Sequence, residues 1–290
     1  MPATDTTLPA ASTQDSMADS MARVDAVIRD RLSSDVALIE QISHYIIGAG
    51  GKRIRPRLVL LFAEALGHQG PEPYELAAVV EFIHTATLLH DDVVDESSLR
   101  RGRQTANALF GNAASVLVGD FLYSRAFQMM VDAGDMRIMQ ILADATNVIA
   151  EGEVLQLMNM HDASLDEAGY LRVIRSKTAK LFEAAAMLGA VVSGQSGAFE
   201  NAMGAYGRHI GTAFQLVDDA LDYAGDSARL GKSTGDDFRE GKMTSPIIFA
   251  YQHATDDEKA FWKRTFEDHN ITDDDLATAK ALIKAHNADQ

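Results

Sequence analysis

Two stretches of this chain carry the same aspartate pattern, in which two adjacent residues are followed by a third three positions on. The members are Asp91, Asp92 and Asp95 in one copy, and Asp218, Asp219 and Asp222 in the other. Side chains four positions apart share one face of a helix, so the first and last aspartates of each copy repel each other. A solvated acidic helix end explains a single copy. Two copies, each continuing an apolar helix, favour bound cations.

The chemistry of these clusters indicates which cation they bind. They offer carboxylate oxygens, and the chain has no cysteine. Mg²⁺ prefers such hard donors: it binds one or two carboxylates, keeps several waters and takes substrate phosphates as its other ligands. We therefore predict Mg²⁺ as the cofactor and a phosphorylated compound as the substrate.

Basic residues supply the other half of the predicted site. Lys52, Arg53 and Arg55 follow a glycine pair, and Arg100 and Arg101 follow the first aspartate triplet. A guanidinium group offers phosphate oxygens a planar fork of donors, and lysine offers a point charge. A basic surface patch explains either cluster alone. An arginine pair just beyond an aspartate triplet favours an anionic ligand that bridges both, and the implied ligand is more than one diphosphate.

Composition excludes several other classes of protein. The 290 residues include 26 Lys and Arg against 42 Asp and Glu, which gives a formal net charge of −16. Proteins that bind nucleic acids or anionic membranes need an excess of positive charge, so no nucleic-acid partner is predicted. The absence of cysteine excludes disulfides and thiolate chemistry. No apolar run is long enough for a transmembrane segment, and we expect a soluble, cytoplasmic protein.

The elements that must position these residues are predicted to be helices. No proline occurs from residue 74 to 245, and the apolar residues recur at spacings of three and four. We predict a disordered leader at 1–18 and a single all-α domain at 19–290. The predicted helices cover 19–33, 35–48, 52–67, 74–96, 113–132, 135–160, 167–194, 198–224, 243–254, 256–268 and 272–287.

Five segments in this order resemble the trans-type polyprenyl diphosphate synthases. They read GGKRIRP at 50–56, HTATLLHDDVVDESSLRRGR at 84–103, EGEVLQL at 151–157, SKTAKLFEAA at 176–185 and FQLVDDALDY at 214–223. The resemblance covers about residues 20–255 and is closest to the members that make the octaprenyl side chain of ubiquinone. It implies a large helical bundle of the isoprenoid synthase type with a central cavity, assembled as a homodimer.

The resemblance also implies a role for each matching residue. The metal ligands, for two or three Mg²⁺ ions, would be Asp91, Asp95, Asp218, Asp219 and Asp222. The catalytic set would be Asp91, Asp92, Asp95, Arg100, Lys177, Asp218 and Asp219. Isopentenyl diphosphate would be bound by Lys52, Arg55, His84 and Arg101. The allylic diphosphate would be bound by Arg100, Lys177, Thr178, Gln215, Lys232 and Lys242.

The reaction implied by the resemblance is repeated addition of isopentenyl diphosphate to an allylic diphosphate such as farnesyl diphosphate. Ile83, Ala86 and Thr87 precede the first triplet where short-chain members carry bulky aromatic residues. None of the three is aromatic, so each helical turn left open, about 5.4 Å, admits about one more five-carbon unit. We therefore predict an octaprenyl product, with nona- or decaprenyl as the alternative.

Three other functions stay open at this stage. A class I terpene cyclase also ionises an allylic diphosphate, but it would not need Lys52, Arg55 and Arg101. A metal-dependent phosphohydrolase would use His90 and Asp91, and the duplicated triplets speak against it. The chain could also be a non-catalytic subunit of a heteromeric synthase. Family members commonly continue with a further helical, often basic segment, so we expect the C-terminus to be truncated relative to them.

Overall fold

The computed structural model describes residues 10–224, 234–268 and 271–288, and these residues form a helical bundle. The first helices are α1 Ala10–Arg31, α2 Ala37–Ile47, α3 Ile54–Ala65, α4 Glu72–Val94, α5 Ala106–Phe110, α6 Asn112–Asp132 and α7 Met136–Met158. They are followed by α8 Glu167–Ile174, α9 Lys180–Val192, α10 Ala198–Ala224, α11 Asp236–Arg239, α12 Ser245–Gln252, α13 Asp256–Phe266 and α14 Asp273–Ala285. The predicted all-α fold is confirmed.

The N-terminal boundary differs from the prediction. Helix α1 begins at Ala10, so residues 10–18 of the predicted disordered leader are helical. Residues 1–9 of that leader lie outside the described residues.

Helix α4 is the central element of the bundle and carries the first aspartate triplet at its end. It packs against α1, α3, α6 and α9. Its middle is buried on all sides, and Val79, Val80 and Phe82 have no exposed surface. A helix buried on several sides has one fixed axis and rotation, because rotating it would expose apolar area. The triplet at its C-terminal end is therefore held in one orientation.

The apolar side chains form two clusters. The larger one contains residues of α1, α2, α3, α6, α7 and α9, which pack around α4. The smaller one contains Phe238, Trp262 and Phe266, together with residues of α8, α12 and α14. Its aromatic rings pack edge to face, with Phe238 and Phe266 centroids 5.5 Å apart. This second cluster fixes the C-terminal helices against the end of α10, where the second triplet lies.

Two irregular elements lie beside the aspartates. A short antiparallel hairpin pairs β1, Leu99–Arg100, with β2, Arg103–Gln104. Its turn residues Arg101 and Gly102 both have positive φ, 54° and 72°, as a two-residue hairpin turn needs. The predicted helix 167–194 is interrupted by a π-helical turn at Arg175–Ala179, between α8 and α9. Such turns insert one residue into a helix and are frequent at functional sites.

Glycines let α10 approach this π-helical turn closely. A Cβ at Gly211 would lie 2.6 Å from Ala179 Cα and 3.0 Å from Phe182 Cβ, closer than packed atoms allow. Gly207, one turn earlier, would clash with the backbone carbonyl of Phe182. Gly211 therefore sets the distance from α10 to the π-helical turn, and Gly207 sets its distance to α9. The π-helical turn and α10 both carry residues of the predicted site.

No helix of the described residues is long and apolar enough to cross a membrane.

Gly211→Ala tests this close approach. The added methyl group must push α10 away from the π-helical turn, and we expect a loss of roughly 1–3 kcal/mol in the free energy of unfolding. Urea denaturation measures it, with Ala202→Val on the exposed face of α10 as the control. An unchanged midpoint for Gly211→Ala would show that the helices can separate freely.

Candidate active site

The three aspartates at the end of α4 are not equivalent. Asp91 and Asp95 are partly exposed and lie one turn apart, whereas Asp92 is fully buried. Asp92 Oδ1 accepts a hydrogen bond from Arg100 Nε at 2.8 Å, and Arg100 Nη2 forms an ion pair with the same oxygen at 2.7 Å. Burial raises the pKa of Asp92, and Arg100 opposes that rise. Asp92 therefore fastens the hairpin to α4, and its two neighbours face outward.

The second triplet divides in a similar way. Asp218 is partly exposed, whereas Asp219 and Asp222 are buried. Asp219 accepts hydrogen bonds from the Tyr170 hydroxyl at 2.5 Å and from Gln215 Nε2 at 2.7 Å. Asp222 accepts one from the Asp237 backbone N–H at 3.2 Å. These two carboxylates join α10 to α8 and α11, and Asp218 is the most accessible member.

Two lysines stand beside the first triplet. Lys177 Nζ lies 2.6 Å from Glu153 Oε2 and 3.6 Å from Asp91 Oδ1. Lys242 Nζ lies 2.6 Å from Glu240 Oε2 and 3.1 Å from Asp95 Oδ1. Each outward aspartate therefore has an ammonium group beside it, at a position suited to a diphosphate that approaches the same carboxylates.

Glu153 is a site residue whose role the sequence pattern did not reveal. Burial, reinforced by the Asp91 carboxylate, raises the pKa of Glu153 to about 7, although Lys177 lowers it. Burial, followed by the carboxylates of Glu153 and Asp91, raises the pKa of the Tyr123 phenol to about 12. Tyr123 therefore faces the acidic end of α4 from α6. Glu153 belongs to the segment EGEVLQL at 151–157, which is part of the family resemblance. Its partner, Lys177, lies in the π-helical turn and is distant in sequence.

The donor set fits a divalent cation that is completed by a substrate. Within the described ranges, no three acidic or histidine side chains are grouped closely enough to bind a metal ion by themselves. Within the two triplets, Asp91, Asp95 and Asp218 are the partly exposed carboxylates. Mg²⁺ binds one or two carboxylates and takes phosphate oxygens as further ligands. This arrangement suits a divalent cation that takes part of its ligands from a phosphorylated substrate.

The basic half of the site is organised around His84 on α4. Arg55 Nη1 lies 3.2 Å from His84 Nε2, and its guanidinium lies 4.3 Å from the Phe182 ring centroid. Because a guanidinium can only donate, His84 Nε2 is the acceptor and the imidazole proton is on Nδ1. Burial first, then Arg55, Arg101 and nearby arginines, hold the pKa of His84 well below its usual value. His84 is therefore neutral.

Arg55 itself retains capacity for an anion. Burial lowers its pKa to about 10, and Glu81 opposes this shift. The buried Arg55 Nε has no hydrogen-bond partner among the described residues. A buried donor without a partner is costly, so this guanidinium suits an anionic ligand.

Lys52 and Arg101 lie at the exposed side of the same cluster. A Cβ at Gly51 would lie 2.5–2.8 Å from the Arg101 guanidinium, so the glycine loop and the hairpin turn meet here. Gly51 also has a φ of 149°, which side chains rarely adopt. Lys52 Nζ lies 5.4 Å from the Phe214 ring centroid, which brings the start of α3 to α10. All four residues predicted for isopentenyl diphosphate are therefore neighbours.

The structure describes most of the remaining predicted residues. Thr178 Oγ1 donates to Gln215 Oε1 at 2.8 Å, and Gln215 in turn donates to Asp219. Lys232 lies outside the described residues. Of the predicted chain-length residues, Ile83 and Ala86 have no exposed surface, whereas Thr87 is partly exposed one turn before Asp91.

Comparisons with known proteins identify the family. Residues 36–283 match the Polyprenyl synthetase family model. The chain is 54% identical over 253 residues to octaprenyl diphosphate synthase from Escherichia coli (strain K12), which covers 87% of this chain and 78% of that protein. It therefore belongs to the polyprenyl synthetase family.

Two crystal structures are similar in fold and sequence. A decaprenyl diphosphate synthase from Rhodobacter capsulatus superposes with a TM-score of 0.90 at 53% identity, over 97% of this chain and 86% of the other. A polyprenyl synthase from Caulobacter crescentus CB15, complexed with calcium and isoprenyl diphosphate, gives a TM-score of 0.91 at 50% identity, over 94% and 83%.

A pH titration of stability tests the neutral state of His84. Below about pH 6.5 the unfolded chain protonates this histidine and the native chain does not, so stability falls as pH falls. We expect wild type to lose up to about 1.4 kcal/mol per pH unit more than His84→Gln, whose amide oxygen can still accept from Arg55. The free energy of unfolding between pH 7 and 5 measures this, with exposed His209→Gln as the control. Parallel curves for wild type and His84→Gln would contradict a neutral His84.

Proposed function

We propose that this chain is a trans-polyprenyl diphosphate synthase that adds isopentenyl diphosphate repeatedly to an allylic diphosphate such as farnesyl diphosphate. Its product is octaprenyl diphosphate, the precursor of a ubiquinone side chain. Membership of the polyprenyl synthetase family supports the reaction class. The 54% identity to an octaprenyl diphosphate synthase supports the long product.

The observation that carries this proposal is the order of groups along one face of α4. His84, Thr87 and Asp91 are all partly exposed, at spacings of three and four. Seven residues of helix rise about 10 Å, so the basic and acidic centres lie side by side. Two diphosphates can then be bound next to each other, one by cations and one through carboxylate-bound metal. A terpene cyclase has no need of the first centre.

The proposed metal ligands are Asp91, Asp95 and Asp218, with Asp219 and Asp222 behind them. Two or three Mg²⁺ ions bound there would neutralise negative charge on the allylic diphosphate as it departs. Lys177, Thr178, Gln215 and Lys242 surround the same diphosphate, and Lys232 is proposed to join them. Arg100, held by Asp92, adds a fixed positive charge between the two centres.

The side chains of the basic centre orient the second substrate. Lys52, Arg55, His84 and Arg101 hold the diphosphate of isopentenyl diphosphate, so that its double bond points toward the allylic carbon. The allylic C–O bond breaks and its electron pair leaves with diphosphate. The isopentenyl double bond supplies the pair for the new C–C bond, and a proton then passes to the released diphosphate. The packed side chains of α4 exclude water from the cation.

The length of the product depends on the path away from Asp91. Thr87 is small and presents surface one turn before the aspartate, which favours continued elongation. The similar decaprenyl diphosphate synthase from Rhodobacter capsulatus keeps nona- or decaprenyl as the alternative product.

We also propose a cytoplasmic homodimer. Helix α6 exposes Leu117 by 66%, Phe127 by 40% and Val131 by 65%. Large apolar side chains on the exposed face of a helix favour a protein interface. A second copy of this chain is the proposed partner.

Product sizing tests the proposed reaction. The purified chain is incubated with farnesyl diphosphate, labelled isopentenyl diphosphate and Mg²⁺, and the dephosphorylated products are separated by length. An octaprenyl product that disappears with EDTA is expected. Cyclic hydrocarbons would favour a terpene cyclase, and no product from the folded chain would favour a non-catalytic subunit.

Asp91→Asn tests the role of the outward carboxylate. The amide keeps the shape but loses the charge that binds the metal, so we expect kcat to fall by roughly 10²–10³-fold. Glu64→Gln, an exposed position on α3, is the matched control. Steady-state kinetics at saturating Mg²⁺ measure both variants, and full activity of Asp91→Asn would remove Asp91 from the proposed metal site.

A further inference from the structure

An ion pair between Arg53 and Glu81 lies directly behind the basic centre, and neither residue is among the four predicted to bind isopentenyl diphosphate. Glu81 is on α4, one turn before His84, and is only 9% exposed. Arg53 Nη1 lies 3.3 Å from Glu81 Oε1. Arg53 immediately follows Lys52 and lies two positions before Arg55, so it stands between two residues of the proposed isopentenyl diphosphate site.

Arg53 is held by several contacts rather than one. Its Nη2 donates to the Ile47 carbonyl at 3.3 Å and lies 3.9 Å from Asp25 Oδ1. Its side chain is 13% exposed. The guanidinium therefore ties the start of α3 to α1, α2 and α4, and it is directed into the bundle.

The backbone at this point is unusual. Arg53 has a φ of 49°, in the left-handed region that non-glycine residues rarely adopt, and it caps the N-terminus of α3. Gly50 and Gly51 before it also have positive φ, 73° and 149°. A left-handed conformation costs free energy for an arginine and persists only where the surrounding structure fixes it. The ion pairs of Arg53 with buried Glu81 and with Asp25 are charged interactions that fix it, and the conformation determines where Lys52 and Arg55 are directed.

Glu81 also balances the charge of the cluster. Burial raises the pKa of Glu81, and Arg53, Arg55 and Arg101 oppose that rise. One carboxylate among three guanidinium groups reduces their mutual repulsion and still leaves an excess of positive charge for a diphosphate. Removal of the carboxylate would let the arginines move apart.

We propose that the Arg53–Glu81 ion pair is a positioning device for the isopentenyl diphosphate site, which sets the directions of Lys52 and Arg55 without touching the substrate. This inference rests on the proposed function, since it assigns that diphosphate to the basic centre. Lys52 and Arg55 would then bind the diphosphate, and Arg53 between them would orient both.

The test compares Arg53→Gln, Glu81→Gln and the double variant with wild type. Binding of isopentenyl diphosphate is measured by titration calorimetry in EDTA, and KM is measured for isopentenyl and farnesyl diphosphates. Each single variant should weaken isopentenyl diphosphate binding about tenfold, and the double variant should be no weaker than the worse single one, because the pair acts as a unit. KM for farnesyl diphosphate should stay within about twofold, because the ion pair acts on the other substrate site.

Two controls separate positioning from general damage. Arg57→Gln removes an exposed arginine of the same helix and should change neither KM. Glu81→Asp keeps the charge and should retain more binding than Glu81→Gln at equal thermal stability. Unchanged binding in both single variants would overturn the proposal, as would equal losses for both substrates together with a lowered melting temperature.

The calorimetric readout also separates this proposal from the proposed function. A wild type that binds isopentenyl diphosphate but forms no elongated product would contradict the synthase assignment, and the variants would still show whether the ion pair orients the binding residues. A wild type that does not bind isopentenyl diphosphate at all would overturn both.

Discussion

The buried contact between Asp92 and Arg100 is the interaction on which the site depends. Asp92 has no exposed surface, accepts a hydrogen bond from Arg100 Nε and forms an ion pair with Arg100 Nη2. Loss of Arg100 would leave the fully buried Asp92 without its ionic partner, which is strongly destabilising. The pair therefore fixes the hairpin against the end of α4. The tight turn that follows then brings Arg101 over Gly51, so one ion pair joins the acidic and basic centres.

Both aspartate triplets use their members for two purposes. In each triplet the middle residue is buried and holds another element: Asp92 holds the hairpin, and Asp219 holds Tyr170 of α8. Asp91, Asp95 and Asp218 remain partly exposed. The repulsion between like charges is thus reduced before any ligand binds. The basic centre follows the same principle, since buried Glu81 stands among arginines and exposed Lys52 faces outward.

The sequence predicts the helices well because their apolar spacing and the long proline-free region reflect local preferences. It also predicts the two acidic centres and the basic residues, since these lie in short segments. It does not predict the π-helical turn or the partners of Glu153, Asp219 and Arg53. These features depend on which helices pack together. The spacing of apolar residues indicates which face of a helix is buried, but it does not indicate which helix packs against that face. The left-handed conformation of Arg53 likewise follows from tertiary contacts rather than from residue type.

We propose that two diphosphate sites of opposite character lie along α4, one built from cations and one that needs a metal. Titration calorimetry of each substrate, with Mg²⁺ and with EDTA, distinguishes the two sites. We expect isopentenyl diphosphate to bind with similar affinity in both conditions, and farnesyl diphosphate to bind only with Mg²⁺. If both substrates depended equally on Mg²⁺, or if neither depended on it, the two sites would not differ in this way.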